Sequence, residues 1–465
     1  MAVGNEVLHP GYSGKNPFNS KEIRYLINKS NGWFDASLEE VISHPVRVDF
    51  ESLISQIILG RSAGKTSLLQ DVECIVPGFS FKINQTAENS SVTEFFDWAD
   101  FFMLHGDATS PAEMLLQSVS DVVSRSHECH FIVRLSGGLD STGIFLALIE
   151  SVDIKKIIAL TYSYNTGSSN EDEKAAKELC EKYGVRLIIV EYEPHLLFHN
   201  LDSPVAPVLN MRVINHKMYE KEINLIQKNC DGDFVIFDGH GGDHVFCERI
   251  PPSLPKELFL RARPLKAVTT LLKMSRLYGC SIKEILYMQT GETAAVLKEA
   301  QRFFHPAALS HIKPVKKISP DDRKSVLSDA ILDNSTAMTL QTSAYDAFPF
   351  TNAEMIHYGL NLKVEDSFNS IHKRLQYRSS IQERFNFIFT RRDKGYITGA
   401  YQAALKINKK RVADLLRKGQ FASHNIINIP KIESAIETAS RGVGGLNSII
   451  IRIIAAEIIF EGYAK

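Results

Sequence analysis

Short apolar runs alternate with helical patterns through the middle of the chain. The runs are FIVRL (131–135), KIIALTY (156–162), RLIIVEY (186–192) and FVIFD (234–238). The helical patterns between them cover 142–150, 172–183 and about 216–228. Near-continuous apolar strands that alternate with helices are typical of a parallel sheet covered on both faces. We therefore predict an α/β fold with a doubly wound parallel sheet.

A helix start marks the beginning of this region. Ser110 is a suitable N-cap, Pro111 occupies the first helical position and Glu113 the third. We place the domain boundary just before this helix, which gives a small domain over 1–105 and a larger one over 106–465.

The chain is predicted to be mostly helical after residue 246, without strong strands. Its most apolar stretch, 449–460, is short and contains Arg452 and Glu457, so it predicts a buried helix and not a membrane span. The N-terminus has no apolar segment of the kind found in signal peptides. We expect a soluble, cytoplasmic protein without a membrane partner.

Composition narrows the function classes. The chain has 465 residues, with 53 Lys and Arg against 54 Asp and Glu, and a formal net charge of −1. A dedicated nucleic-acid binder is usually basic, so we expect no nucleic-acid partner. The six cysteines form no CxxC pair, which fits a reducing compartment better than a disulfide framework.

The sequence SGGLDS at 136–141 follows the first apolar run and opens a helix. A glycine-rich turn between a strand and a helix presents backbone N–H groups and a positive helix end to an anion. Asp140 suits a divalent cation that bridges phosphates. The alternative is an ordinary turn between a strand and a helix.

A second loop, DGHGGDH at 238–244, follows the fourth apolar run. Strand ends at one edge of a doubly wound sheet converge on the ligand crevice, so this loop should face SGGLDS. Asp243 is then a second metal-binding carboxylate. A zinc site at His240, His244 and Cys247 is the alternative, but the two glycines between the histidines oppose the helix that such spacing needs.

These loops resemble those of a known family. SGGLDS resembles the pyrophosphate-binding loop of the ATP pyrophosphatases, which activate a carbonyl by AMP transfer. The second loop resembles the acidic glycine loop of the asparagine synthetase family, with His240 where that family usually has Glu. With a histidine at this position, the loop resembles that of the lasso peptide cyclases, a branch of the family. The resemblance implies an asparagine synthetase-like ATP pyrophosphatase domain with a helical C-terminal half.

The resemblance implies roles for individual residues. Asp140 and Asp243 would hold Mg²⁺ and, with Lys394, form the catalytic set. Lys394 lies in RRDKGY (391–396), and its alternative is a surface charge in a basic turn. His240, His244, Arg391 and Arg392 would contact substrate or phosphate. The ATP-binding residues would be Leu135, Ser136, Gly137, Gly138, Asp140, Ser141, Ser163, Tyr164, Asp238 and Gly239.

The first domain is informative by what it lacks. Family members that use glutamine begin with a catalytic Cys after the initiator Met, whereas residue 2 here is Ala. The segment resembles the last part of the family's N-terminal domain. We therefore expect a truncated, glutaminase-dead domain that does not hydrolyse glutamine.

The implied activity is an ATP-dependent, AMP-forming ligation. A lasso peptide cyclase would adenylate an Asp or Glu side chain of a leaderless core peptide and close a macrolactam with its N-terminal amine. The resemblance also allows a leader-peptide protease and a leader-recognition protein as partners. The alternatives are a β-lactam synthetase-like or asparagine synthetase-like enzyme with a small amino-acid substrate, and a tRNA-modifying ATP pyrophosphatase.

Overall fold

The fold is taken from a computed structural model. It describes residues 3–8, 24–29, 32–43, 47–59, 67–75, 79–85, 90–97, 110–126, 129–164, 170–310, 323–338, 345–389, 398–443 and 447–463.

The first part of the chain contains two antiparallel three-stranded sheets. Their strands are β1 (Val3–Leu8), β2 (Arg24–Lys29), β3 (Gly32–Ala36), β4 (Val72–Ile75), β5 (Phe79–Gln85) and β6 (Ser90–Asp97), in the orders β1-β5-β6 and β3-β2-β4. Two helices, Leu38–Ser43 and Phe50–Leu59, accompany them. Leu53 of the second helix belongs to the same apolar cluster as Phe421 and Ile453, so the first part and the C-terminal helices share a core.

A five-stranded sheet forms the centre of the larger part. Its strands are β7 (His130–Arg134), β8 (Ile157–Ser163), β9 (Arg186–Glu191), β10 (Phe234–Phe237) and β11 (Tyr345–Ala347). All neighbours are parallel, in the order β11-β10-β7-β8-β9. The four predicted strands are confirmed. The sequence predicted no strong strand after residue 246. The three-residue β11 has no apolar run of its own and forms by pairing with β10.

Both faces of this sheet are buried, as the apolar runs predicted. Alternate residues enter two different cores, with Ile132 and Ile236 in one and Val133 and Phe237 in the other. The covering helices are Pro111–Arg125, Leu139–Ser151, Glu171–Tyr183 and His216–Asn229. The first begins after Ser110 with Pro111 in its first turn, as predicted.

The second half of the larger part is mostly helical, which was also predicted. The helices are Gly242–Val245, Leu254–Leu260, Pro264–Tyr278, Ile282–Phe303, Pro306–Ser310, Arg323–Met338, Ala353–Asn361, Leu375–Phe385, Thr398–Lys418, Gln420–Ser423, Ile429–Ser440 and Ser448–Tyr463. The last of them is almost wholly buried. Within the described ranges, no helix is both long and apolar enough to cross a bilayer.

The strand order fixes the position of the functional crevice. The chain runs from β7 outward through β8 and β9, then returns to place β10 on the other side of β7. The order of strands therefore reverses between β7 and β10, and ligands of doubly wound sheets bind at the carboxyl ends of the strands at such a point. Both loops singled out in the sequence follow these two strands.

Candidate active site

The SGGLDS loop is shaped by hydrogen bonds within itself. Leu135 is buried and donates its N–H to the carbonyl of Leu160, 2.7 Å away, which ties the loop to β8. Gly137 has a φ of 70°, in the left-handed region that favours glycine. The hydroxyl of Ser141 accepts a hydrogen bond of 3.2 Å from the N–H of Ser136, and Gly138 caps the following helix without a side chain. The turn thus leaves the helix end open to an anion.

The second loop approaches the first more closely than a side chain would allow. Gly241 has a φ of 103° and precedes the short helix Gly242–Val245. A Cβ on Gly242 would lie 2.4 Å from Oδ1 of Asp140, and one on Gly239 would lie 3.1 Å from Cβ of Asp140. The glycines of this loop therefore permit the contact between the two loops that the sequence predicted.

A buried arginine joins the two loops. Nη1 of Arg374 lies 2.7 Å from Oδ1 of Asp140 and 3.0 Å from Oδ1 of Asp243, and its Nε lies 3.0 Å from Oε2 of Glu248. The side chain of Arg374 is 3% exposed. Burial alone would lower the pKa of Arg374, but the three carboxylates raise it above its ordinary value. Sequence reasoning missed both Arg374 and Glu248.

The two aspartates suit a divalent cation that is shared with phosphates. Both carboxylates reach the same guanidinium nitrogen, so one cation can lie between them. Mg²⁺ is commonly held by one or two carboxylates plus substrate phosphates. No cluster of three or more His, Cys, Asp or Glu that could hold a metal was found in the part of the chain that the structure describes. The donor set therefore fits Mg²⁺ with a nucleotide, not a cage made by the protein alone.

Asp238 is engaged in an ion network beneath the loop. Its carboxylate accepts hydrogen bonds from the N–H of His240 (2.8 Å) and from Nη1 of Arg134 (2.9 Å). Burial would raise the pKa of Asp238, but Arg212 and Arg134 hold it well below its usual range. Arg134 also contacts Glu222, 2.7 Å away. The carboxylate of Asp238 thus anchors its loop. Its predicted role in binding ATP stays a prediction.

Asp346 on β11 completes this network. Its Oδ1 lies 3.5 Å from Nη1 of Arg134. Burial raises the pKa of Asp346 to about 6, against the opposing effect of Arg134. One signal in the sequence could have revealed the network. Arg134 is a charged residue in an otherwise apolar strand, and such a residue needs buried partners.

The two histidines of the second loop lie side by side, with ring centroids 5.3 Å apart. Nε2 of His240 lies 3.4 Å from Oδ2 of Asp333, on the helix Arg323–Met338. Burial, together with the neighbouring His240, lowers the pKa of His244 to about 4, so His244 is neutral near pH 7. His240 is therefore positioned beside a carboxylate, and His244 is packed behind it as a neutral ring.

The end of β8 forms an aromatic wall beside the crevice. The ring of Tyr164 lies 4.9 Å from that of Tyr192. Ser163 is buried and hydrogen-bonds the side chain of Glu173. Burial raises the pKa of Tyr164, which keeps its hydroxyl protonated. Ser163 is the last residue of β8, which lies next to β7, and Tyr164 follows it. Their predicted role in binding ATP stays a prediction.

The remaining predicted residues, Arg391, Arg392 and Lys394, lie outside the described residues. The segment that leads toward them is well packed. Tyr377 is fully buried, and its ring stacks on that of Phe246 with centroids 4.2 Å apart. The second loop and the helix Leu375–Phe385 are therefore held against each other by apolar contact as well as by Arg374.

Comparison with known proteins identifies the class of protein. The family model described as asparagine synthase matches residues 113–457. The chain belongs to the asparagine synthase family. This membership confirms the resemblance drawn from the sequence and places the chain in a family of ATP-dependent amide-forming ligases.

The individual relatives match smaller parts of the chain than the family model does. The chain is 30% identical over 214 residues to the Microcin J25-processing protein McjC of Escherichia coli, covering 44% of this chain and 38% of that protein. It is 24% identical over 136 residues to the tRNA(Ile)-lysidine synthase of Bacteroides thetaiotaomicron, covering 28% and 30%. Each alignment thus spans about a third of the relative's own length.

Among solved structures, a glutamine-dependent NAD+ synthetase from Acinetobacter baumannii, in complex with ADP, is similar over 37% of this chain and 40% of its own. Its sequence identity is 16% and its TM-score 0.17, too low to support an argument about this chain.

Proposed function

We propose that this protein is an AMP-forming ligase that adenylates a side-chain carboxylate of a peptide and joins it to the peptide's own N-terminal amine. One observation carries the proposal: Asp140 and Asp243, from two loops at the reversal point of the sheet, meet at one cation position. A paired carboxylate site beside an open helix end suits Mg²⁺ and the phosphates of ATP.

In the first step, an oxygen of the substrate carboxylate attacks the α-phosphorus of ATP. A new P–O bond forms. The bond between the α-phosphorus and the oxygen that bridges to the β-phosphate breaks, and pyrophosphate leaves. The N–H groups that follow Gly137 bind the pyrophosphate part. Asp140 and Asp243 would hold Mg²⁺, which would neutralise phosphate charge. Arg374, released from one carboxylate, supplies a second positive charge to the leaving group.

In the second step, the amine attacks the activated carbonyl. A C–N bond forms, the C–O bond to the phosphate breaks, and AMP leaves. The amine must lose a proton, and His240 is the acceptor that the geometry favours, because its ring lies at the second loop beside Asp333. Lys394 stabilises the negative charge on the carbonyl and phosphate oxygens as AMP leaves.

The peptide substrate is supported by two lines. His240 occupies the position at which the lasso peptide cyclase branch resembles this chain, and the relative McjC is named for processing microcin J25. We therefore propose a precursor core peptide as the substrate and a macrolactam as the product. An RNA substrate is less well supported, since the formal net charge of −1 gives no general attraction for a polyanion.

The experiment uses the whole chain, ATP, MgCl₂ and synthetic peptides with a free N-terminus and an internal Asp or Glu. We expect peptide-dependent ATP–pyrophosphate exchange, AMP as the nucleotide product, and a peptide lighter by one water. An N-acetylated copy of the same peptide should support exchange but give no cyclic product. A copy with Asn or Gln at the acidic position should support neither.

The outcomes separate the alternatives. Exchange with free aspartate and an amide product with ammonium would favour the small-substrate alternative. Formation of ADP and phosphate would contradict AMP-forming chemistry altogether. Exchange that needs no acidic peptide residue would overturn the proposed nucleophile.

A further inference from the structure

A helical hairpin far along the chain is apolar on two opposite sides. It consists of the helices Leu254–Leu260 and Pro264–Tyr278. Leu258, Ala267 and Met274 point inward and form a small separate core with Phe368. A helix that serves as an ordinary surface element would carry polar residues on its other face.

The outer face instead carries large apolar side chains. Leu265, Val268 and Leu272 recur at helical spacing on the solvent side and are 83%, 57% and 44% exposed. Phe259 and Leu260, at the end of the first helix, are 65% and 73% exposed. Exposed apolar groups of this kind usually mark a site of contact with a protein or a membrane.

The same hairpin is strongly basic. Residues 254–278 contain six Lys and Arg but one Asp or Glu, whereas the whole chain has a formal net charge of −1. The basic groups remain near the surface. Arg261 pairs with Glu257 at 3.6 Å and Arg263 with Glu365 at 3.5 Å, and both arginine side chains are more than half exposed. The partner of this surface must therefore accept apolar side chains and carry negative charge.

Two other occupants fit less well. A second copy that docks through the same patch would bring two strongly basic surfaces together, which is repulsive. A folded acidic protein would need a concave surface matched to side chains that project as far as Leu260 and Leu265. An anionic bilayer needs no such match, because its headgroups rearrange around inserted side chains and attract Lys and Arg.

We propose that this hairpin docks the protein on an anionic lipid surface, with Phe259, Leu260 and Leu265 inserted among the headgroups. The expectation of no membrane partner rested on the lack of a spanning segment, which does not bear on docking at a surface. Docking of this kind goes beyond the proposed ligase activity and does not depend on it.

The test is co-sedimentation of the full chain with vesicles of phosphatidylcholine alone or mixed with phosphatidylglycerol. We expect binding to the mixed vesicles, weakened by added NaCl, and little binding to the neutral ones. The double variant Leu265→Asp and Val268→Asp should lose roughly tenfold or more in vesicle affinity. Its circular dichroism spectrum and ATP–pyrophosphate exchange should match those of the wild type, because both positions are exposed.

Ile407→Asp is the matched control. Ile407 is 59% exposed on the helix Thr398–Lys418 and lies near Lys410 and Arg411, but it is outside the hairpin. It should leave vesicle binding unchanged. Equal sedimentation with both kinds of vesicle, or an equal loss in the control, would overturn the proposal. Failure of the wild type to bind vesicles also overturns the proposal. If the wild type then shows a molecular mass that rises with protein concentration, and Leu265→Asp abolishes this rise, the patch joins two copies of the chain.

Discussion

Arg374 donates a hydrogen bond of 2.7 Å to Asp140 in the interior of the site. The same guanidinium nitrogen lies 3.0 Å from Asp243, so a protein cation lies where a metal ion shared by the two carboxylates is expected. Both aspartates can bind Mg²⁺ if Arg374 leaves one of the carboxylates and binds the phosphate oxygens of ATP. The arginine thus balances the negative charge of both carboxylates.

Loss of either aspartate should abolish activity, but the two losses should differ in their effect on the stability of the protein. Asp140→Ala and Asp243→Ala should each abolish AMP formation, because each removes a carboxylate that we propose as a ligand of Mg²⁺. Asp140 is buried against Arg374, so its loss should lower the free energy of unfolding by about 3–5 kcal/mol. Asp243 is 39% exposed and should cost much less. The stability of the fold should therefore depend on Asp140 more than on Asp243.

Urea unfolding and an AMP assay check this difference, with the exposed Asp231→Ala as the control for both. Normal turnover in either site variant would refute the metal assignment. Equal destabilisation by both would contradict the central role of the Asp140–Arg374 pair.

Arg374→Met should make the protein's stability depend on Mg²⁺ without nucleotide. Removing the guanidinium leaves two carboxylates facing each other, and a divalent cation can replace the missing charge. We expect MgCl₂ to raise the melting temperature of the variant more than that of the wild type. Arg384→Met is the control, because Arg384 pairs with Glu113 and Glu150 away from the site. If Mg²⁺ stabilises Arg374→Met no more than the control, the carboxylates do not form a cation site.

Gly242→Ala should inactivate the enzyme although it adds one methyl group. The new Cβ would lie 2.4 Å from Asp140, a distance that forces the two loops apart. A misplaced reacting group can cost about 10²-fold in rate. Gly399→Ala is the matched control, since among the described residues no atom outside its own helix backbone and chain neighbours lies within 4 Å of a Cβ at that position. Initial rates of AMP release compare the two variants, and an active Gly242→Ala enzyme would show that the loops need not touch.

Glu457 should make the protein less stable as the pH rises from about 4 to 7. Burial raises the pKa of Glu457 to about 7, although its carboxylate accepts hydrogen bonds from the N–H groups of Gln420 and Phe421. The folded state therefore holds a proton that the unfolded state, with a pKa of about 4.3, has already released. The stabilising contribution of Glu457 is therefore complete below the pKa of the unfolded state. It is lost as the pH rises through the pKa of the folded state.

The loss from Glu457 amounts to at most about 4 kcal/mol. Denaturant unfolding at a series of pH values should show this decline, and Glu457→Gln should flatten it. The exposed Glu178→Gln should not. A free energy of unfolding that rises with pH across this range in the wild type, and does not rise in Glu457→Gln, would contradict the predicted direction.

Lys394→Met should separate the two chemical steps. Negative charge grows on the carbonyl and phosphate oxygens when the acyl-adenylate is broken, so a cation there acts mainly on amide formation. Its loss should cost on the order of 10²–10³ in the rate of that step. Peptide-dependent ATP–pyrophosphate exchange should persist. Loss of exchange would assign Lys394 to adenylation or folding, and near-normal product formation would move the role to Arg391 or Arg392.

Local sequence was sufficient for most of the sheet and for both loops. Strands such as 131–135 form continuous apolar runs because both faces of a parallel sheet are buried, and glycine-rich turns mark where the strands end. The strand β11 was not predictable in the same way. Its three residues, Tyr345–Ala347, gain strand structure by pairing with β10, a contact more than a hundred residues away in sequence.

The sequence by itself determined the α/β class, the two loops and the carboxylates Asp140 and Asp243, because each depends on neighbours within a few residues. The tertiary structure decided which charges meet. Arg374 has no local pattern that distinguishes it from other arginines, and it reaches Asp140 across 234 positions of the chain. Buried charges must be paired wherever the fold places them, and that pairing is a property of the packed molecule and not of any segment.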